Sequence, residues 1–317
     1  MPAPDHAAAP ETASTSATGR YAPSPTGTLH LGNLRTALLA WLFARSQGAR
    51  FLMRVDDLDR DRVRPGIAEQ QLADLAALGL DWDGPVVRQS ERMEVYAAAI
   101  ARLDADGALY PCFCTRAEIR QAASAPHGAL PEGAYPGTCR ELTRTERAAR
   151  EASGRPPALR LRAGAATVAF TDRLLGRCAG VVDDLVVRRN DGVPAYNLAV
   201  VVDDTAAGVG EVVRGADLAQ TTPRQLYVAA RLGVPAPRYA HVPLVLGEDG
   251  ARLAKRHGAV TLADRVAAGQ SPAEVRTSLA RSVGLATARE TPSLDELLDR
   301  FDPSLLPTEP TVLTTWT

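Results

Sequence analysis

The apolar residues of the first third of the chain alternate between two periods. Leu34, Leu38, Trp41 and Leu42 recur at helical spacing and predict a helix over residues 31–47, with Gly48 where a C-cap belongs. Residues 51–56 (FLMRVD) read as a buried strand, with Asp56, Asp57 and Asp59 clustered at its end. Pro65 opens a second helix that carries Ile67, Leu72, Leu75 and Leu78 and stops at Gly79. Ser90 is placed to cap a third, which ends at Gly107. Strand–helix alternation of this kind predicts a parallel sheet with right-handed crossovers. There is no GxGxxG fingerprint after the first strand, which disfavours a dinucleotide site.

The texture changes between Tyr110 and Cys139, a loop-rich run with one short helix capped by Thr115 and Glu118. A charged helix follows, opened by Thr143 with Glu146. Residues 158–162, 167–171 and 185–189 alternate as strands, and Asn190-Asp191-Gly192 marks a hairpin turn. Residues 195–203 (AYNLAVVVD) form a continuous apolar run and are expected to be a central parallel strand. A helix capped by Thr222, with Pro223 in its first turn, ends at Gly233, and residues 241–246 form a last strand. Beyond Leu262, Ser271/Glu274 and Ser293/Glu296 open two further helices.

With 317 residues and a hydrophobic content of 45%, the chain has material for about two domains and an ample core. No apolar run approaches the roughly 18 residues that a membrane span needs. Residues 1–18 are rich in Ala, Pro, Ser and Thr and read as a disordered leader, not a signal peptide, so the expected location is the cytoplasm. The net charge of −1 gives no global pointer to nucleic acid, but residues 140–189 hold 11 arginines against 6 acidic residues, a patch able to meet phosphates.

Candidate chemistry lies in three places. In residues 19–33 (GRYAPSPTGTLHLGN), Pro23, Pro25 and Gly27 impose a stiff turn between a short strand and the first helix. His30, Gly32 and Asn33 therefore stand at a helix N-terminus, where unpaired N–H groups and the dipole favour anions. Gly32 is expected to let a bulky ligand approach the backbone. Far along the chain, Arg252-Leu253-Ala254-Lys255-Arg256 contains the sole lysine among 36 basic residues. A compact ammonium does at a phosphate what a planar guanidinium cannot. Third, Cys112, Cys114 and Cys139 are spaced for a zinc site, with Tyr135 or His127 as the fourth donor. Cys178 stands apart and reads as a small buried hydrophobe.

HLGN early and RLAKR late resemble the HIGH and KMSKS signatures of class I aminoacyl-tRNA synthetases. GRYAPSPTG, RVDDLD and VVRGADL narrow the resemblance to the glutamyl-tRNA synthetase group over residues 19–260. The short length and the cysteine pattern are most similar to its stand-alone catalytic cores that glutamylate queuosine. The resemblance implies an α/β fold: a Rossmann-like, HUP-type parallel-sheet nucleotide-binding core with an inserted zinc-containing α+β domain. On this reading the leader occupies 1–18, the first half of the core 19–107, the zinc-binding, RNA-contacting insertion 108–190, and the second half with the lysine loop 191–261. Residues 262–317 are a helical region, too short for an anticodon-binding domain. The implied zinc ligands are Cys112, Cys114, Tyr135 and Cys139.

It also implies ATP-dependent activation of L-glutamate, with magnesium, and transfer to queuosine in the anticodon stem-loop of tRNA(Asp), by a monomer. His30 and Lys255 take catalytic roles, and His30, Gly32, Asn33, Arg252 and Lys255 bind ATP. Arg20, Ser24, Asp56, Tyr196 and Arg214 bind glutamate. The chain departs from the family pattern at Asp56, where the family has glutamate, and at Arg252 and Ala254, which replace a basic residue and a serine. Alternatives are a truncated glutamyl-tRNA synthetase charging the 3′ end of tRNA(Glu), a non-catalytic RNA-binding paralogue, and a nucleotidyltransferase of similar fold.

Overall fold

A computed structural model describes residues 17–123, 134–251, 253 and 260–312. The leader (residues 1–16), His127, Arg252, Ala254 and Lys255 lie outside the described residues.

The chain begins with β1 (Gly19–Tyr21), α1 (Leu31–Arg45), β2 (Phe51–Val55), α2 (Ile67–Ala77), β3 (Val87–Arg88) and α3 (Met93–Ala105). β1 pairs with β2, and β2 with β3, all in parallel, as the alternation predicts. The next stretch holds β4 (Leu109–Cys112), α4 (Arg116–Ala123), α5 (Arg144–Ala152), β5 (Ala158–Leu161), β6 (Ala166–Asp172), β7 (Gly176–Val182) and β8 (Val186–Arg188). β4, β5 and β8 form a small antiparallel sheet. The β6–β7 hairpin instead joins a second sheet ordered β7-β6-β10-β9, so this stretch reaches into the core. That sheet is completed after α6 (Tyr196–Ala206) by β9 (Glu211–Gly215), α7 (Thr222–Leu232) and β10 (Arg238–Val242). β9 and β10 run parallel, and the amides of Gly210 and Glu211 donate to the Thr18 carbonyl, linking β9 to β1. The chain closes with β11 (Val245–Leu246), α8 (Leu262–Ala267), α9 (Pro272–Arg281), α10 (Leu294–Arg300) and β12 (Thr311–Val312), the last strand pairing with β11.

α1 is apolar on nearly every face because it is buried on nearly every face. One side packs on β1 and β9. The other takes α9 and α10, with the Phe43 and Phe301 rings 5.2 Å apart, edge to face. A second apolar cluster joins α3, α6 and α7 to the β6–β7 hairpin. The parallel strands thus lie between two cores, and the charges they carry, Arg20 on β1 and Arg54 on β2, are buried with carboxylate partners. Arg35, fully buried on α1, has no carboxylate partner among the described residues. It donates to Ser282, Thr311 and the Pro243 carbonyl, and burial pulls its pKa down to about 10. It therefore ties α1 to the C-terminal segment.

Five expectations are corrected. Residues 241–246 are not one last strand but the end of β10 and then β11, with β12 beyond them, and Cys178, on β7, is only half-buried. Residues 195–203 are not a strand: α6 occupies Tyr196–Ala206. A short apolar run does not distinguish a strand from a buried helix. Here the helix wins because it packs Leu198 and Val201 into the second core and turns Asp203 and Asp204 inward to buried arginines. Ser90 caps no helix. Its amide and hydroxyl donate to Asp57, and α3 starts at Met93 without a side-chain cap. Thr222 is the first residue of α7, whose N-cap is Thr221, so the Thr222 hydroxyl is left to accept from Arg214. The capping boxes at Thr115, Thr143, Ser271 and Ser293 are present as read, and Thr261 with Asp264 adds a further one.

Asp203 is buried and accepts from Gln89, Arg92 and the Tyr96 hydroxyl at 2.7–2.8 Å, with Arg54 3.7 Å away. Removing one member of such a buried group leaves charge uncompensated. Asp203→Ala should destabilise the protein by about 3–5 kcal/mol, read as a lowered urea midpoint.

Candidate active site

A cavity of about 420 Å³ opens over the ends of β1, β2 and β9, at the start of α1. Eight predicted residues line it: Arg20, Ser24, His30, Gly32, Asn33, Asp56, Tyr196 and Arg214. They come from five separate stretches of chain, and the parallel sheet brings them together. Leu253, from the lysine motif, also lines the cavity.

At the start of α1, His30 is the N-cap. Its Nδ1 accepts from the Asn33 amide at 3.3 Å, and the Asn33 side-chain oxygen accepts from the His30 amide at 3.2 Å. With Nδ1 occupied as an acceptor, the neutral ring carries its proton on Nε2, as a donor. The ring is thus both cap and cavity wall. Gly32 has a reason the sequence did not show. A Cβ there would stand 3.1 Å from the His30 ring and 3.4 Å from Val245, so the glycine makes room for the imidazole.

Behind the cavity lies a lattice of buried charge. Arg20 donates through Nε and Nη2 to Asp204. Arg54 donates to Asp204 and Asp56, each at 2.6 Å. Burial raises the Asp204 pKa, but Arg20 and Arg54 outweigh it and hold the carboxyl below its ordinary value. Asp56 goes the other way: burial outweighs Arg54 and raises its pKa. One edge of the Arg20 guanidinium is therefore engaged by Asp204. Arg54 and Asp204 were not anticipated as site residues. The available signal was an arginine inside an apolar strand and a paired aspartate closing an apolar run.

Arg214 is different. It is buried, and its partners are all uncharged: His241 Nε2 at 3.1 Å, Gln225 Oε1 at 2.8 Å, Thr222 Oγ1 at 2.8 Å and the Leu218 carbonyl at 3.4 Å. Among the described residues no carboxylate lies within ion-pair distance of it. A buried cation at a cavity wall with no carboxylate in contact with it is poised for an anionic ligand, since a bound carboxylate would supply the missing partner.

Gln71, also unanticipated, is buried beneath the 24–27 turn and donates to the Ser24 and Gly27 carbonyls. A second cavity, of about 990 Å³, shares Ser24, Thr26, Asp56 and Tyr196 with the first. Arg62, Arg116, Arg155, Arg160 and Arg189 line it. The basic surplus of residues 140–189 is partly consumed internally, as Arg140 pairs with Asp184 and Arg173 with Glu211. Arg155, Arg160 and Arg189 are the part of it that faces this cavity.

Beside the second cavity the sulfurs of Cys112, Cys114 and Cys139 lie within 4.8 Å of one another. The Tyr135 hydroxyl is 3.4 Å from Cys112 Sγ and 3.9 Å from Cys114 Sγ, and Cys114 and Cys139 are 3.4 Å apart. Ligands on a tetrahedral ion with 2.3 Å bonds stand about 3.8 Å apart, so the donor set fits zinc in both chemistry and convergence. The Cys112 thiol is pulled down to about 4 by hydrogen bonding from Cys139 and Tyr135 and by the Arg160 guanidinium, against burial. The same pairing with Cys112, aided by burial, pushes Cys139 up.

Comparison with known proteins agrees with this geometry. The family described as tRNA synthetases class I (E and Q), catalytic domain, matches residues 17–312. A glutamyl-Q tRNA(Asp) synthetase of Nocardia farcinica is 63% identical over 296 residues, covering 93% of each chain. One of Symbiobacterium thermophilum is 55% identical over 304 residues, covering 92% of this chain and 94% of its own. Among solved structures, a glutamate tRNA ligase of Elizabethkingia meningosepticum in complex with its amino acid superposes with a TM-score of 0.81 at 26% identity, over 94% of this chain and 67% of that one. No described helix is long and apolar enough to cross a membrane. The fold, the order of the motifs and this similarity over nearly the whole length place the chain in the class I tRNA synthetase family for glutamate and glutamine, within its glutamyl-Q tRNA(Asp) synthetase branch.

Proposed function

We propose that the protein activates L-glutamate with ATP and transfers the glutamyl group to queuosine at the wobble position of tRNA(Asp). The observation that carries this reading is Arg214: a buried guanidinium with only neutral partners, in the same cavity as the His30-capped start of α1. In the first step an α-carboxylate oxygen of glutamate attacks the α-phosphorus of ATP, and pyrophosphate leaves with its magnesium. No proton has to be removed, so catalysis is alignment plus stabilisation of charge on the phosphorus. The His30 Nε2 proton and the α1 N-terminus serve the phosphates, joined by Arg252 and Lys255. Arg214 takes the side-chain carboxylate, with Arg20 alongside. Asp56 and Tyr196 hold the ammonium end, and Ser24 contributes a hydroxyl. In the second step a ring hydroxyl of queuosine attacks the acyl carbon, forming an ester and releasing AMP.

The larger cavity supports the RNA half of this reading. It shares a wall with the glutamate cavity and is lined by arginines, as a pocket for an everted nucleoside and its flanking phosphates would be. Cys112, Cys114, Tyr135 and Cys139 would hold a structural zinc, which would tie β4 to the loop that follows it.

Four measurements test these assignments. Labelled glutamate should pass to an isolated anticodon stem-loop of queuosine-containing tRNA(Asp) and not to the same stem-loop with guanosine. Labelling of whole tRNA(Asp) should survive enzymatic removal of its 3′ CCA. Loss of label on that removal, with queuosine intact, would instead make the chain a glutamyl-tRNA synthetase acting at the 3′ end.

Lys255→Ala should leave folding intact and slow glutamate activation by about 100-fold or more. Lys255→Arg should also be impaired, because a fork does not replace a point charge. Near wild-type activation by Lys255→Arg would remove the case for the lone lysine.

Protein purified without chelators should contain about one zinc per chain by elemental analysis, and Cys114→Ser should lower that content and the thermal midpoint. Metal-free protein of unchanged stability would count against the site.

A further inference from the structure

The acceptor at Arg214 Nε is a histidine whose tautomer is dictated from the far side. His241 lies on β10 and is fully buried. Its Nδ1 is 2.6 Å from Asp172 Oδ2, and its Nε2 accepts from Arg214 Nε at 3.1 Å. Arg214 has no form that accepts, so His241 Nε2 must be unprotonated and the ring proton must sit on Nδ1, donated to Asp172. Asp172, at the end of β6, is itself locked. Its Oδ1 accepts from the amides of Leu174, Leu175 and His241, which leaves Oδ2 for the imidazole. The ring is held from its faces too, stacked on Tyr239 with centroids 5.8 Å apart and planes 5° from parallel.

We infer that Asp172 and His241 are positioning residues for the substrate carboxylate: they fix the imidazole tautomer that aims the Arg214 guanidinium into the cavity. The inference rests on the glutamate-activating reading given above. Four acceptors engage four of the five N–H donors of Arg214, leaving one on Nη1. That donor points wherever the other four hold the plane. His241 alone holds Nε, the root of the fork, so a change of tautomer there would turn an acceptor into an opposing N–H. Because His241 is neutral, it orients Arg214 without spending its charge. A carboxylate in the same place would orient it equally well but compete with the substrate. Asp172 belongs to the hairpin that precedes the second half of the core, so correct seating of β6 against β10 becomes a condition for a competent amino-acid site.

The informative variant is Asp172→Asn. The three backbone amides hold its Oδ1, so Nδ2 would face His241 Nδ1 and force the proton onto Nε2, where it opposes Arg214 Nε–H and turns to the Thr222 hydroxyl 3.2 Å away, the acceptor that Arg214 Nη2 uses. In glutamate transfer to queuosine-containing tRNA(Asp), this variant should raise the KM for glutamate about tenfold or more and leave the KM for ATP near wild type. His241→Phe, which keeps the ring and removes the acceptor, should show the same selective rise and provides the reading if Asp172→Asn melts early. His241→Gln keeps an acceptor at the Nε2 position, so adding Asp172→Asn to it should cost little further glutamate affinity, a non-additivity that a merely structural role would not produce. Parallel rises in both KM values, or full additivity in the double variant, would overturn the inference. A wild-type protein that transfers no glutamate would overturn the functional reading instead.

Discussion

The arrangement on which the rest of this structure depends is the ionic lattice of Arg20, Arg54, Asp56 and Asp204 beneath the cavity. Parallel β1 and β2 put Arg20 level with Leu52, so Arg54 stands one pleat further along and on the same face. Two buried guanidiniums so close together would repel and would lose their hydration. Asp204 bridges them, and Asp203, next to it on α6, serves Arg92 and Tyr96. Buried pairs of this kind contribute little net stability, but breaking one is costly, so they act as a condition on how the chain assembles. α6 has to dock in a single rotation for both aspartates to find arginines, and that rotation brings Tyr196 to the rim of both cavities.

Against this compensated background the two arginines Arg20 and Arg214 at the cavity are not equivalent. Arg20 shares its charge with Asp204. Arg214 has four neutral acceptors and keeps its charge for a ligand. The difference follows from placement. β1 faces α6, which supplies aspartates, whereas the end of β9 faces the start of α7 and β10, which supply Thr222, Gln225 and His241. The start of α1 is likewise served by a neutral group, since His30 Nδ1 satisfies an orphan amide while the ring lines the cavity.

Much of the fold was legible because it is encoded by local rules. The parallel strands, α1, the turn at residues 19–33 and the capping boxes follow from periodicity and from residues with narrow conformational choices. The gathering of the candidate residues was legible for a related reason: they are distinctive types in a fixed motif order, and eight of them line one cavity. Residues 195–203 were misread because Val and Leu in a short run satisfy either a buried strand or a buried helix. Only the docking of Asp203 and Asp204 separates the two.

The sequence by itself determined the alternating α/β character, the helix that starts after His30, the three converging cysteines and the family. These depend on neighbours in the chain or on motif order, both of which survive without coordinates. Only the tertiary structure decided that the β6–β7 hairpin joins the sheet of β9 and β10, that Gly32 makes room for the His30 ring, and that Arg214 lacks a countercharge. It alone placed Asp172 behind His241, 69 positions away in the chain. Such facts concern which groups share a desolvated space, and burial together with pairing across long loops is a property of the packed molecule, not of any segment within it.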